Sequence, residues 1–215
     1  MLITISRQLG SGGGRVGQIV AERLKIPYAD REILQLAAQQ AGVSEEAIQE
    51  ADERRPSILD RMSSFVIGYQ APLVGEYLPP EVLVVPTPTH ESYRRLVEDV
   101  IRQLAERGDA VIVGRGAQVI LRDKPAALHV YIYAPMEFRV RAIAARDHID
   151  EREALHRARE SDRRRSGYLR SYYGVDWQAP ELYDLIINSG RLGLETAADL
   201  VIEAARSLGG RPQPG

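Results

Sequence analysis

A run of glycines joins the first strand-like segment of this chain to its first helix-like segment. Residues 2–5 are apolar, and residues 16–24 carry apolar side chains at helical spacing. The connection between them contains Gly10-Ser11-Gly12-Gly13-Gly14-Arg15. A strand that ends in glycines and leads into a helix directs several backbone N–H groups and the positive end of a helix dipole toward one point. The sequence therefore predicts an α/β fold whose first connection can bind an anion.

Strand-like and helix-like segments alternate through most of the remaining sequence. Residues 110–113 and 127–133 are nearly continuous apolar runs, which is typical of strands that helices cover on both faces. Further helices are predicted over 31–41, 91–107, 117–121, 135–146, 150–170 and 194–208, and further strands over 26–30 and 182–187. This rhythm predicts one domain over residues 1–208, built as a three-layer sandwich with a central parallel sheet and helices on both faces.

Two segments do not follow the alternation. Residues 55–89 are rich in proline but keep apolar side chains, so they form a predicted insertion rather than a free linker. This insertion either packs as a connector or covers a site or a dimer surface, which leaves a homodimer open. Residues 209–215 are predicted to form a flexible tail.

Composition narrows the function classes. A net charge of -2 argues against a general nucleic-acid-binding surface. The absence of cysteine excludes disulfides and thiolate chemistry and is compatible with the cytosol. No apolar run approaches the roughly 18 residues of a membrane-spanning helix. We therefore expect a cytoplasmic protein that binds neither nucleic acid nor membranes.

Four stretches, taken in order, resemble the cytidylate kinase-like branch of the nucleoside monophosphate kinases. They are residues 3–7 with the glycine run, residues 111–117 (VIVGRGA), residues 160–165 (ESDRRR) leading to 168–170, and residues 183–188 (YDLIIN). The resemblance implies a P-loop NTPase-type fold with a helical lid at about residues 150–177. It also implies transfer of the γ-phosphoryl group of ATP, with Mg²⁺, to a nucleoside monophosphate or a similar small phosphate-bearing acceptor. The alternative is a non-catalytic nucleotide-binding or regulatory module with the same fold.

The glycine run is the predicted donor-phosphate site, but it departs from the common pattern Gly-x-x-x-x-Gly-Lys-Ser/Thr. Gly13 stands at the lysine position, and Gly14 and Arg15 stand in the region of the hydroxyl that binds magnesium. Arg7 and Arg15 are the candidate replacements for the lysine, and no magnesium ligand is identified. The predicted nucleotide-binding residues are Gly10, Ser11, Gly12, Gly13, Gly14 and Arg15. A tight structural turn, or a site for another anion, remains the alternative.

Three residues are predicted to bind the acceptor. Arg115 follows a buried strand, and the resemblance implies that its guanidinium holds the acceptor phosphate through two hydrogen bonds. Arg7 and Asp30 also lie at predicted strand ends, where ligands of such sheets collect. Arg115 could equally cap a strand end or pair with a surface acid, and Asp30 could cap the helix that follows it.

The arginine-rich helix is the predicted lid. In the resembled kinases, arginines of this region close over the triphosphate, so Arg159, Asp162 and Arg165 are the predicted catalytic residues. Asp162 and Arg165 are three positions apart, which allows the carboxylate to orient the guanidinium on one side of a helix. The alternative is an ordinary solvated helix face.

Overall fold

A computed structural model describes residues 1–30, 32–42 and 90–209 of the 215-residue chain. Its strands are β1 (Leu2–Arg7), β2 (Tyr28–Ala29), β3 (Ala110–Val113), β4 (Ala127–Tyr133) and β5 (Leu185–Asn188). They form a five-stranded sheet in the order β2-β3-β1-β4-β5, and every neighbouring pair is parallel. The predicted central parallel sheet is therefore confirmed.

The helices lie close to their predicted positions. They are α1 (Gly13–Leu24), α2 (Glu32–Ala41), α3 (His90–Glu106), α4 (Ala117–Ile120), α5 (Met136–Asp147), α6 (Glu151–Tyr173), α7 (Ser189–Leu192) and α8 (Leu194–Gly209). The last strand begins later than predicted, at Leu185, because Pro180–Leu182 form a 3-10 turn that starts at proline. These small differences do not change the order of elements.

Both faces of the sheet are covered by helices. Along β1, Leu2 belongs to a buried cluster with residues of α2 and α3, whereas Ile3 belongs to a cluster with residues of α1 and α8. Ile112 and Val111 of β3 divide between the same two clusters. Because successive strand residues point to opposite faces, this division confirms the predicted three-layer arrangement.

Helix α6 has clear signals at both ends. The side chain of Asp150 accepts a hydrogen bond from the backbone N–H of Glu153 at 2.7 Å, which caps the start of the helix. Gly174 ends it in a left-handed conformation, with φ of 68°. The helix is therefore continuous for 23 residues across the predicted lid region.

Two predicted segments fall where the structure is not described. The insertion predicted over 55–89 lies within residues 43–89, and the predicted tail lies almost entirely within residues 210–215. Within the described ranges, no helix is both long enough and apolar enough to cross a membrane.

Candidate active site

A cavity of about 470 Å³ opens at the edge of the sheet where the parallel strands end. It is lined by the end of β1, by the turn after β3 and by one face of α6. The residues of α6 that line it include Arg157, Glu160, Ser161, Arg164, Arg165 and Tyr168. This edge is where open parallel sheets bind ligands, so the cavity is the candidate active site.

The glycine run leads into α1 beside this edge. Gly12 precedes the helix with φ of 75° and supplies no side-chain cap, so the amides of the first turn are left for another acceptor. Gly10 also has a positive φ, of 81°, and a Cβ there would lie 2.7 Å from the carbonyl oxygen of Arg139. Both glycines are therefore required by the conformation of the backbone and by its close approach to neighbouring atoms.

The Ser11 hydroxyl shapes the loop from inside. Its Oγ donates to the carbonyl oxygen of Gln8 at 2.9 Å or of Ile132 at 3.1 Å, and the residue is fully buried. The carbonyl of Ser11 accepts from the Ser189 hydroxyl at 2.6 Å. Ser11 thus ties the loop to the ends of β4 and β5.

The two candidate replacements for the missing lysine point in different directions. Arg7 lines the cavity, and its Nη2 donates to Asp30 Oδ1 at 3.0 Å. Arg15 is exposed on α1, where its Nη1 lies 3.3 Å from Gln18 Oε1 and 3.6 Å from Glu22 Oε1. The structure therefore brings Arg7 to the cavity and places Arg15 along the outer surface of the helix.

The turn after β3 holds Arg115 in an unusual backbone conformation. Gly114, Arg115 and Gly116 have consecutive positive φ values of 81°, 57° and 74°. A left-handed arginine costs of order 1 kcal/mol, and such conformations concentrate at binding and catalytic sites. All three residues line the cavity, so the structure places Arg115 at the candidate site.

Arg165 has a strongly perturbed guanidinium at the cavity. Its Nη1 is buried and has no hydrogen-bond partner, and its guanidinium carbon lies 5.9 Å from the centre of the Trp177 ring. Burial lowers the pKa of Arg165 to about 9, and the nearby charge of Arg7 also lowers it, whereas Asp162 raises it. The guanidinium remains charged at neutral pH, with the N–H donors of its Nη1 unused.

Asp162 has a different partner from the predicted one. Its two oxygens accept from Nη2 and Nη1 of Arg139, both at 2.8 Å, although Arg165 is its neighbour on the helix. Arg139 also donates through Nε to the carbonyl of Leu9 at 2.7 Å. This buried arginine of α5, which sequence reasoning did not select, joins α6 to the residue that precedes the glycine run.

Arg159 is exposed and is not among the residues that line the cavity. Arg157 and Arg164 line it instead, with the acidic partners Glu153 and Glu160 at 2.8 and 2.9 Å. A helical projection anchored on Arg157 finds this face, because Arg164 and Arg165 follow it by seven and eight residues and lie on the same side of the helix.

The described residues at and beside the cavity do not form a magnesium site of their own. Gly14 has no hydroxyl, the hydroxyl of Ser11 faces backbone carbonyls, and Asp30 is bound by Arg7. In the described part of the chain, no group of three or more His, Asp or Glu residues is arranged to hold a metal. Mg²⁺ that arrives with a nucleotide would be held mainly by phosphate oxygens and water.

The chain is similar to solved structures that share this architecture. An uncharacterized protein from Eubacterium ventriosum has a TM-score of 0.67 and 23% identity, covering 96% of this chain and 99% of that one. Shikimate kinase from Bacteroides thetaiotaomicron has a TM-score of 0.54 and 12% identity, covering 96% of this chain and 98% of that one. At these identities the likeness concerns the fold alone, and it confirms the predicted P-loop NTPase-type fold.

The chain is also similar in sequence to known cytidylate kinases. The enzyme from Archaeoglobus fulgidus is 30% identical over 210 residues, which is 95% of this chain and 94% of that protein. The enzyme from Sulfolobus acidocaldarius is 40% identical over 76 residues, 35% of this chain and 41% of that protein. The match to Aeropyrum pernix cytidylate kinase is 34% over 106 residues, 49% of this chain and 61% of that protein. In the last two comparisons the matched region spans less than two thirds of the relative.

A family model extends the match over most of the chain. The model of the cytidylate kinase-like family covers residues 2–191, from β1 through α6 to α7. This span includes the glycine run, the Arg115 turn and the cavity face of α6. The chain belongs to the cytidylate kinase-like family.

Proposed function

We propose that this protein is a phosphotransferase that moves the γ-phosphoryl group of ATP to a nucleoside monophosphate or a similar small phosphate-bearing acceptor. Family membership and the P-loop kinase fold support the general class. The observation that carries the proposal is the buried Nη1 of Arg165, which has no hydrogen-bond partner, at a cavity that four other arginines also line. We further propose that residues 1–208 act as one catalytic domain, with α6 as its lid.

The charges of the cavity favour an anionic ligand. Arg7, Arg115 and Arg165 come from three different elements and line the same space. Arg7 and Arg165 repel each other strongly enough that Arg7 lowers the pKa of Arg165. A phosphate group between them would screen this repulsion and accept the unused hydrogen bond of Arg165, so both costs favour binding of a phosphate.

The reaction needs correct placement more than covalent chemistry. An oxygen of the acceptor phosphate forms a bond to the γ-phosphorus, and the bond from that phosphorus to the β–γ bridging oxygen breaks. ADP leaves with the electron pair, and the acceptor becomes a diphosphate. In this proposal the amides of residues 10–14 hold the donor, Arg115 holds the acceptor, and Arg165 neutralises charge on the transferred group. Asp162 positions the lid through Arg139.

A nucleotide-binding module without transfer activity is the second candidate. Gly13 and Gly14 favour it, because the loop lacks the lysine and the hydroxyl that most P-loop enzymes use. The two candidates differ in one measurable product, ADP formed in the presence of an acceptor.

The test incubates the purified full chain with ATP, Mg²⁺ and each of AMP, CMP, GMP and UMP, and follows ADP in a coupled assay. We expect ADP formation that depends on at least one monophosphate. ATP binding without ADP above background would establish the second candidate instead.

Arg115→Ala tests the acceptor assignment in the same assay. We expect its kcat/KM for the acceptor to fall about a hundredfold, with the Kd for ATP nearly unchanged, because a lost phosphate contact acts on one substrate. Arg122→Gln is the matched control, since Arg122 is exposed and does not line the cavity. Equal losses for ATP and the acceptor would contradict the assignment.

A further inference from the structure

We propose that the cation of the donor-phosphate loop has moved from position 13 to Arg7, and that position 13 is glycine because Arg7 occupies the space of its side chain. The inference rests on the proposed function in one respect, namely that this loop binds a triphosphate. It explains why a loop without lysine can still present a positive charge to the ligand.

The sequence shows an exchange of residue types within the motif. In the common pattern the first position is glycine and the seventh is lysine. With Gly12 at the sixth position, the first position is Arg7 and the seventh is Gly13. Compared with the common pattern, the basic residue and the glycine have therefore exchanged positions, and these positions are six residues apart.

The geometry shows why the exchange has to be reciprocal. A Cβ added to Gly13 would lie 2.5 Å from Cβ and 3.2 Å from Cγ of Arg7. It would also lie 3.1 Å from Cβ of Ile132. The obstacle is the root of the Arg7 side chain, which no change of rotamer can move. Only one of the two positions can carry a side chain at a time.

A second glycine makes room for the far end of the same side chain. A Cβ at Gly114 would collide with Nη1 of Arg7. The guanidinium therefore crosses close above the backbone that follows β3, and Asp30 accepts from its Nη2 at 3.0 Å. The ion pair holds the planar cation at the cavity, where a guanidinium can offer two parallel donors to phosphate oxygens.

The rival cation is poorly placed for this role. The side chain of Arg15 is 55% exposed and lies along α1 beside Glu22, whereas that of Arg7 is 22% exposed and lines the cavity. Both side chains have an acidic partner, but the more exposed Arg15 loses more conformational freedom on binding a ligand than the largely buried Arg7.

The test restores the common pattern in two steps and measures binding rather than turnover. Arg7→Gly, Gly13→Ala, Gly13→Lys and the double variant Arg7→Gly with Gly13→Lys are titrated calorimetrically with ATP and with inorganic tripolyphosphate. Thermal unfolding of each variant checks that it is folded. Arg15→Gln tests the rival cation, and Arg206→Gln, an exposed residue of α8, controls for the loss of one charge.

We expect Arg7→Gly and Gly13→Ala each to weaken binding of both probes about tenfold or more. We expect the double variant to bind more tightly than either Arg7→Gly or Gly13→Lys alone, because lysine then has the space that it needs. If Gly13→Lys does not fold but the double variant does, the steric exclusion is supported directly.

Three results would overturn the inference: unchanged affinity in Arg7→Gly, a double variant no better than Gly13→Lys, or a larger loss in Arg15→Gln than in Arg7→Gly. Wild-type protein that binds neither probe would overturn both the inference and the proposed function. Binding that depends on Arg7 without phosphoryl transfer would overturn the proposed function alone.

Discussion

Two arginines with buried guanidinium nitrogens, Arg139 packed against α6 and Arg165 on α6 itself, differ in how their donors are used. Arg139 has a side chain that is only 2% exposed, yet its nitrogens reach the carbonyl of Leu9 at 2.7 Å and both oxygens of Asp162 at 2.8 Å. Arg165 leaves one buried nitrogen without any acceptor. Burial alone does not separate a structural arginine from a ligand-binding one. The unused donor does, because a fully paired cation has nothing left to offer a substrate.

The largest expected effect comes from Arg139→Met, which leaves the Asp162 carboxylate without its partner. We expect the free energy of unfolding to fall by about 3 kcal/mol, since breaking a buried ion pair exposes the full cost of the remaining charge. Urea denaturation measures the change. Asp162→Asn, alone and combined with Arg139→Met, completes a double-mutant cycle. If Arg139→Met lowers the free energy of unfolding by less than about 1 kcal/mol, Arg139 does not have the structural role that we assign to it.

Arg165→Met should show the opposite pattern. We expect kcat/KM to fall about a hundredfold, because a cation next to the transferred group is lost. We expect stability to stay level or rise by about 1 kcal/mol, because an unsatisfied buried donor is removed. Arg163→Gln is the control, since Arg163 is exposed on the same helix and does not line the cavity. If Arg165→Met is destabilised but keeps its activity, Arg165 has a structural role like that of Arg139.

His129 extends the comparison to a base that avoids the cost of burial by staying neutral. Burial lowers the pKa of His129 below its ordinary value of 6.5, and Asp184 and the backbone of Leu121 raise it only in part. Its Nδ1 lies 2.7 Å from the Thr4 hydroxyl. Below pH 6.5 the unfolded state therefore binds a proton that the folded state resists, and stability falls as the pH falls.

Urea denaturation at several pH values measures how the free energy of unfolding changes with pH. A single titrating group can change it by at most about 1.4 kcal/mol per pH unit. His129→Gln should be less sensitive to acid than the wild type between about pH 6.5 and 5. An identical pH dependence of the free energy of unfolding in the two proteins would show that His129 does not resist protonation in the folded state.

The smallest effect is expected for an arginine that is paired but exposed. Arg23 contacts Glu195 and lies 2.5 Å from Asp199, so it has two carboxylate partners, but its side chain is 41% exposed. We expect Arg23→Gln to change the free energy of unfolding by about 0.5 kcal/mol or less, and less still at high salt. A loss as large as that of Arg139→Met would mean that pairing, rather than burial, sets the cost.

Much of the fold follows from short-range patterns. The apolar run of β3 and the helical spacing of α1 depend on residues close in the chain, so their positions were predicted to within a few residues. The two-sided burial of the sheet followed from the same runs. The late start of β5 was missed because a proline turn and a strand can share one apolar sequence pattern.

The site was less accessible to sequence reasoning. Arg7, Arg115 and Arg165 were selected and do line one cavity, but Arg159 was selected and lies outside it. Arg139 was missed because its partner, Asp162, is 23 residues away on another helix. In the sequence, Arg165 is as plausible a partner for Asp162 as Arg139, because it lies three positions away on the same helix. Only the packing of α5 against α6 shows that Asp162 pairs with Arg139.

By itself, the sequence determined the order of strands and helices, the place of the glycine run and the family of the chain, because these depend on local periodicity and on matched residues in order. The tertiary structure alone decided which arginines keep a free donor and why Gly13 cannot carry a side chain. Those outcomes depend on which atoms fill the space between distant elements. In a close-packed interior a difference of about 1 Å decides whether a side chain fits.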